Sequence, residues 1–147
     1  MSILRRIVKA KKAEVKQAKI KMPEEELLKI ITKSPANRNF RDIFENNDLS
    51  IVGEIKKKAP STGVIKASIS VEKIVKAYEK AGIKGLSIVT DRKFFDGKLE
   101  YIKEAKKYCS LPVLRKDFII DEYQIFESRC AGAERPPAAA AKRRAAV

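Results

Sequence analysis

Apolar residues at the start of the chain recur at helical spacing. Leu4, Ile7, Val8, Val15 and Ala18 fall on one stripe, interrupted only by Lys11, so residues 2–19 are predicted as an amphipathic helix able to cover an apolar surface. Pro23 followed by Glu24, Glu25 and Glu26 marks a second helix start. Proline's fixed φ suits a first turn, and the carboxylates sit at the positive end of the helix dipole. That helix is expected to reach about Lys33, where Ser34-Pro35 stops it.

From Ile51 the pattern changes to short apolar runs alternating with helices. "IVGEI" is predicted as a strand. "SVEKIVKAYEKAG" follows as a helix, with Ser70 as N-cap, an apolar face of Ile74, Val75, Ala77 and Tyr78, and Gly82 at its close. "GLSIVTD" is the next strand and "GKLEYIKEAKKYC" the next helix. "LPVLRKDF" is a third strand, its proline at the start where no ladder bond is lost, and "DEYQIFESRCAGA" a third helix. Strand and helix alternating at roughly 30-residue spacing imply crossovers of one hand and a parallel sheet with helices outside it, which makes the fold class α/β. In such sheets the side chains at the C-terminal strand ends, and in the loops that follow, build the active site.

The first strand ends in the segment "GEIKKKAPS". Side chains two apart on a strand share a face, so Glu54 and Lys56 point one way while Ile55 points toward the helices. Lys116 ends the third strand, where a closed barrel would bring it to the same mouth, and Phe94-Phe95-Asp96-Gly97 after the second strand supplies aromatic surface beside it. A partly desolvated lysine beside a second lysine has its ammonium disfavoured, and a neighbouring glutamate restores it. That balance suits a general acid. The plainer alternative is that Glu54 and Lys56 form one surface ion pair of little energetic weight.

Composition narrows the chemistry. The chain has 147 residues, 44% hydrophobic and 35% charged, the balance of a packed domain. No apolar run approaches the roughly 20 residues of a membrane span, and charge is scattered through the N-terminus, so a cytosolic protein without membrane attachment is expected. Histidine is absent, which removes Ser-His-Asp and Cys-His catalysis and leaves acid and base work to Lys, Glu, Asp or Tyr. Cys109 and Cys130 form no CxxC pair and are expected as reduced thiols. The net charge of +14 raises nucleic acid as a partner. The lysines are nevertheless spread over several helices without the aromatic interleaving that stacks bases, so the expected partner is an anionic small molecule rather than nucleic acid.

Three segments, "IVGEIKKKAPSTGVI", "LSIVTDRKFFDGKLEYI" and "LPVLRKDFIIDEYQIFESRCAGA", resemble the indole-3-glycerol-phosphate synthase family in order and in spacing, from about Ile51 to Ala133. The two N-terminal helices are similar to the family's extra segment ahead of its barrel. The resemblance implies a (β/α)8 TIM barrel enzyme of tryptophan biosynthesis, a carbon-carbon lyase. Its reaction converts 1-(2-carboxyphenylamino)-1-deoxyribulose 5-phosphate to indole-3-glycerol phosphate with release of carbon dioxide and water, and needs no metal or organic cofactor. By motif, Lys116 corresponds to the general acid that protonates the substrate ketone as the ring closes. Glu54 corresponds to the glutamate that orients that lysine and takes part in proton transfer, and Lys56 to the lysine that holds the anionic substrate. Ser61, Phe95 and Phe118 correspond to substrate-binding pocket residues.

The resemblance divides the chain into a helical extension (1–49), the first three βα units of a barrel (50–133) and a tail (134–147). In the family "AGAD" leads into an apolar fourth strand, whereas this chain continues "ERPPAAAAKRRAAV", where Pro136-Pro137 is expected to block any strand. A full barrel typically needs about 250 residues. The expectation is therefore a partial barrel of about three units, inactive alone, because a second catalytic glutamate and the phosphate-gripping loops would lie in the remainder. The tail admits two readings, a truncated or frame-shifted product or a basic extension for partner binding, and the abrupt change of composition favours the first. An open sheet edge would invite self-association. The alternatives from other classes are a non-catalytic anion- or nucleic-acid-binding module and a half-barrel that pairs with another chain.

Overall fold

The computed structural model describes residues 2–34, 39–45 and 49–134. Two helices come first, α1 (Ile3–Lys21) and α2 (Glu24–Thr32), followed by a 3-10 turn (Phe40–Phe44). Then come β1 (Val52–Ile55), a short hairpin of β2 (Lys58–Ala59) and β3 (Gly63–Val64), α3 (Val71–Lys80), β4 (Gly85–Val89), the one-turn α4 (Arg92–Phe95), α5 (Glu100–Tyr108), β5 (Val113–Lys116) and α6 (Tyr123–Cys130).

β1, β4 and β5 form a parallel sheet in the order β1-β4-β5, with Glu54 opposite Ser87, Ile55 opposite Ile88, and Val89 opposite Lys116. β4 is buried along its whole length, as an apolar run between two parallel neighbours must be. The register sorts side chains between two faces. Ile55, Leu86, Ile88 and Val113 join Val71 and Val75 of α3 and Ile102 and Ala105 of α5 in the core. Each large aliphatic side chain buried there contributes about 1.5–3 kcal/mol relative to exposure. Glu54 and Lys116, with Val89, lie on the opposite face, the one that lines the interior of a TIM barrel.

The N-terminal helices are docked through α6. α2 packs along it, and Val15, Leu27 and Tyr123 form a small core of their own. The Tyr123 hydroxyl lies 3.0 Å from the Ala18 carbonyl oxygen, which also accepts from the Met22 amide, and 2.9 Å from the Met22 carbonyl oxygen just past the last turn, so it ties α6 to the C-terminal end of α1.

Several expectations change. Lys11, the predicted interruption of the apolar stripe, is only 3% exposed, whereas Leu4, assigned to that stripe, is 55% exposed. The buried side of α1 is Ile7, Lys11 and Val15, because the surface it covers carries carboxylates as well as hydrocarbon. Pro23 takes the N-cap position of α2 rather than its first turn. The 3-10 turn was not anticipated: Phe40, 3% exposed, lies so close beneath β4 that a Cβ on Gly85 would meet its ring at 3.0 Å.

Glu134, the first residue of the expected tail, still touches the sheet: its amide donates to the Val113 carbonyl at 2.8 Å, and its carboxylate accepts from the Val113 amide at 2.6 Å and from Lys106 Nζ at 2.6 Å. With those partners, Glu134 is 5% exposed. Glu134 thus pairs both outward-facing backbone groups of Val113 at the start of β5, leaving the rest of that edge without a strand neighbour among the described residues. Residues 135–147 of the expected tail lie outside the described residues. Among the described residues, no helix is long and apolar enough to cross a membrane.

Candidate active site

At the C-terminal end of the sheet one carboxylate holds two ammonium groups. Lys56 Nζ lies 2.8 Å from Glu54 Oε1, and Lys116 Nζ donates to Glu54 Oε2. The predicted alternation on β1 therefore brings Glu54 and Lys56 together, and the parallel pairing through β4 brings Lys116 to them from two strands away. Glu54 is half-buried and Lys116 exposed at the rim. Burial alone would push the Glu54 carboxyl up, but hydrogen bonds from Lys116 and Lys56, and then their charges, outweigh it and hold the group below the usual carboxylate range. The trio carries one net positive formal charge, which favours an anion, and Lys116 presents its ammonium to solvent beside a carboxylate that, held ionised, orients it.

The backbone under this trio is fixed from the helix side. The Tyr78 hydroxyl donates to the Glu54 carbonyl at 3.1 Å, and its ring passes so close to Gly53 that a Cβ there would lie 2.6 Å from the Tyr78 ring. Gly53 thus permits the approach that holds Glu54 in place.

Aromatic surface comes from the loops after β4 and β5. Asp91 caps α4 by accepting from the Phe94 amide at 2.8 Å, and Asp96, in the left-handed region at φ 51°, ends it. The Gly97 amide then returns to the Asp91 carbonyl at 2.8 Å. This tight turn presents Phe95 to Phe118, with ring centroids 6.1 Å apart and planes tilted by 40°. The Phe118 amide is held at 2.8 Å by the side chain of Asp117. Ser61 sits exposed in the turn between β2 and β3, and none of the contacts joining Glu54, Lys56 and Lys116 includes it.

Some participants were not anticipated. Lys57, adjacent to the predicted Lys56, forms an ion pair with Asp96 at 2.5 Å and ties the end of β1 to the aromatic turn. Asp91 and Asp117 anchor the two phenylalanine segments. Their only sequence signal is position, each falling just past a strand end, where a short acidic side chain can cap the backbone that follows. Among the described residues, no group of three or more His, Cys, Asp or Glu side chains is arranged to hold a metal ion.

Comparison with known proteins adds an independent finding. The family model described as indole-3-glycerol phosphate synthase matches residues 4–135. The curated indole-3-glycerol phosphate synthase of Thermoanaerobacter pseudethanolicus is 46% identical over 132 residues, covering 90% of this chain and 50% of that protein. The synthase of Clostridium kluyveri is 42% identical over 134 residues, covering 90% and 51%, and that of Bacteroides thetaiotaomicron is 40% identical over 132 residues with the same coverage. The chain spans about half the length of the curated relatives it matches.

Proposed function

This chain belongs to the indole-3-glycerol phosphate synthase family, and from that membership we propose that its Glu54, Lys56 and Lys116 are the proton-transfer group of that ring closure. In this reading the anthranilate-ribulose phosphate adduct lies across the mouth of the sheet, and Lys116 protonates the ketone oxygen as the aromatic carbon bearing the carboxylate attacks the carbonyl carbon. Carbon dioxide leaves that aromatic carbon, and the new hydroxyl takes up a second proton and leaves as water while the adjacent carbon of the new ring gives up a proton to close the double bond. Glu54 orients Lys116 and exchanges its proton, and Lys56 neutralises the substrate's negative charge. Phe95 and Phe118 wall the aromatic ring, with Ser61 at the rim of the pocket. The observation that carries the reading is the single carboxylate gripping two lysines that reach it from the ends of two strands of one parallel sheet.

A transplant tests it. Residues 4–135 replace the matching half of the Thermoanaerobacter pseudethanolicus synthase, and product formation is followed with the adduct as substrate. The chimera is expected to turn over, and Lys116→Met in it to lose about 10²–10⁴-fold in kcat, the usual contribution of a positioned acid. A folded, active chimera indifferent to Lys116→Met would sink the assignment.

Two further parts of the reading concern the setting. Both cysteines are unbridged thiols, which suits a cytosolic enzyme. Among the described residues, β1 and β5 each pair with a strand on one side only, so self-association through an open edge is expected. Sedimentation velocity showing only monomer across a wide concentration range would remove that part alone.

A further inference from the structure

We propose that Lys11 is a positioning residue: from α1 it sets the spacing of the two aromatic walls, Phe95 and Phe118, and through them the fit of an aryl carboxylate group between them. The inference rests on the site reading above, which it deepens by naming what holds the pocket open to the right width.

The Lys11 ammonium is buried and lies 2.7 Å from Glu14 Oε2, 2.9 Å from Asp91 Oδ2 and 2.9 Å from Asp117 Oδ1. Glu14 is a neighbour one turn along the same helix. The other two carboxylates come from different loops, and each also holds a phenylalanine segment. Asp91 Oδ1 caps the turn that carries Phe94 and Phe95, and Asp117 Oδ1 accepts from the Phe118 amide. One ammonium therefore ties together the backbone supports of both rings.

The rest of the junction is built as a frame around that cation. Asp117 Oδ2 accepts from Thr90 Oγ1 at 2.7 Å and from Arg115 Nη2 at 3.0 Å. Arg115 Nη1 continues to Glu127 at 2.7 Å and to Ser128 at 3.2 Å on α6. Asp117 thus keeps a second cation if Lys11 is removed. Asp91 does not: its Oδ2 is buried and, among the described residues, faces only the Lys11 ammonium. Burial disfavours the Lys11 charge, yet Glu14, Asp117 and Asp91 outweigh it and hold the group above the ordinary lysine range, so the clamp stays charged. Without Lys11, two buried carboxylates would face each other with no cation between them. An open cleft of about 450 Å³ lined by Lys11, Glu14, Thr90, Arg115 and Asp117 borders the junction, from which water could reach Asp117 once the lysine is gone.

The experiment uses the full chain with ring-labelled phenylalanine and reads the nuclear Overhauser contact between Phe95 and Phe118, together with the affinity for anthranilate as probe. Lys11→Met is expected to abolish the ring contact and weaken anthranilate by about 10-fold while the far-ultraviolet circular dichroism is retained. Lys11→Arg, which keeps a cation, is expected to retain the contact. An unchanged contact and affinity in Lys11→Met would overturn the proposal, as would equal loss in both variants, which would assign the effect to packing. Should Lys11→Met not fold, Asp91→Asn decides: the asparagine still caps α4 but loses the charge facing Lys11, so Phe95 is expected to shift against Phe118, and an unmoved contact overturns the proposal. A wild-type chain that shows the ring contact but does not bind anthranilate would count against the functional reading, leaving the ring contacts to decide the role of Lys11.

Discussion

Asp117 and Glu54 are carboxylates held ionised against the pull of burial. For Asp117 that pull is the largest influence, but the charges of Arg115 and Lys11 and the hydrogen bonds from Thr90 and Lys11 together exceed it, so its carboxyl stays below the ordinary range. Folding lowers both groups from values near about 4, so the stability they contribute is complete above that point and is lost as pH falls through their lower folded values. Lys11 has the opposite sign. Its folded value is raised, so its contribution is complete below the ordinary lysine value near about 10.4 and is lost only as pH rises through the folded one. Urea unfolding followed from about pH 5 down to about pH 2 is expected to show a steep loss of stability, and Asp117→Asn to flatten that acid limb. Glu54→Gln should flatten it less, since Glu54 is more exposed and more screened. A limb left equally steep by Asp117→Asn would place the acid sensitivity elsewhere. The pairing of Glu54 with Lys56 was legible because a strand's period of two needs no knowledge of the fold. The roles of Lys11 and Asp117 were not, because a charge in an apolar stripe acquires its meaning only from a partner distant in sequence.

Elements are delimited here by small residues whose surroundings differ. A Cβ on Gly97 would lie 2.3 Å from the Val89 carbonyl oxygen and 2.9 Å from Thr90 Cα, both backbone atoms that cannot rotate away. Gly82, at φ +77°, has nothing within 4 Å, so a side chain there meets only backbone strain. Gly97→Ala is therefore expected to cost at least the 1–3 kcal/mol typical of overpacking, about the upper end, and Gly82→Ala about 1–2 kcal/mol from the left-handed conformation alone. Chemical denaturation of both variants checks the order, and Gly82→Ala proving the costlier would contradict the account. The cap of α3 was readable from sequence: Ser70 accepts from the Lys73 amide at 3.3 Å, as its place before an apolar-periodic run implied. The one-turn α4 was not. Four residues carry too little periodicity to announce a helix, and its cap, Asp91, reads equally well as the end of the strand before it.

For the whole molecule the net charge of +14 sets the response to salt. The lysine-rich surface repels itself, whereas the ion pairs that hold the structure together are largely those around Lys11 and Arg115, buried and little screened. Relief of repulsion should therefore exceed loss of surface pairs. The melting temperature is expected to rise between low salt and about 0.15 M sodium chloride, and a fall would show that exposed pairs matter more than their usual small contribution. The sequence by itself determined the α/β class, the alternation of strands and helices, the family and the candidate trio. Each of these depends on local periodicity or on motifs read in order along the chain. Only the tertiary structure decided that Lys11 is a buried clamp, that a 3-10 turn closes over β4 and that Glu134 still pairs Val113 at the edge of β5. In each case the deciding partner lies far along the chain, and whether a lysine, phenylalanine or glutamate is buried depends on what folding brings against it.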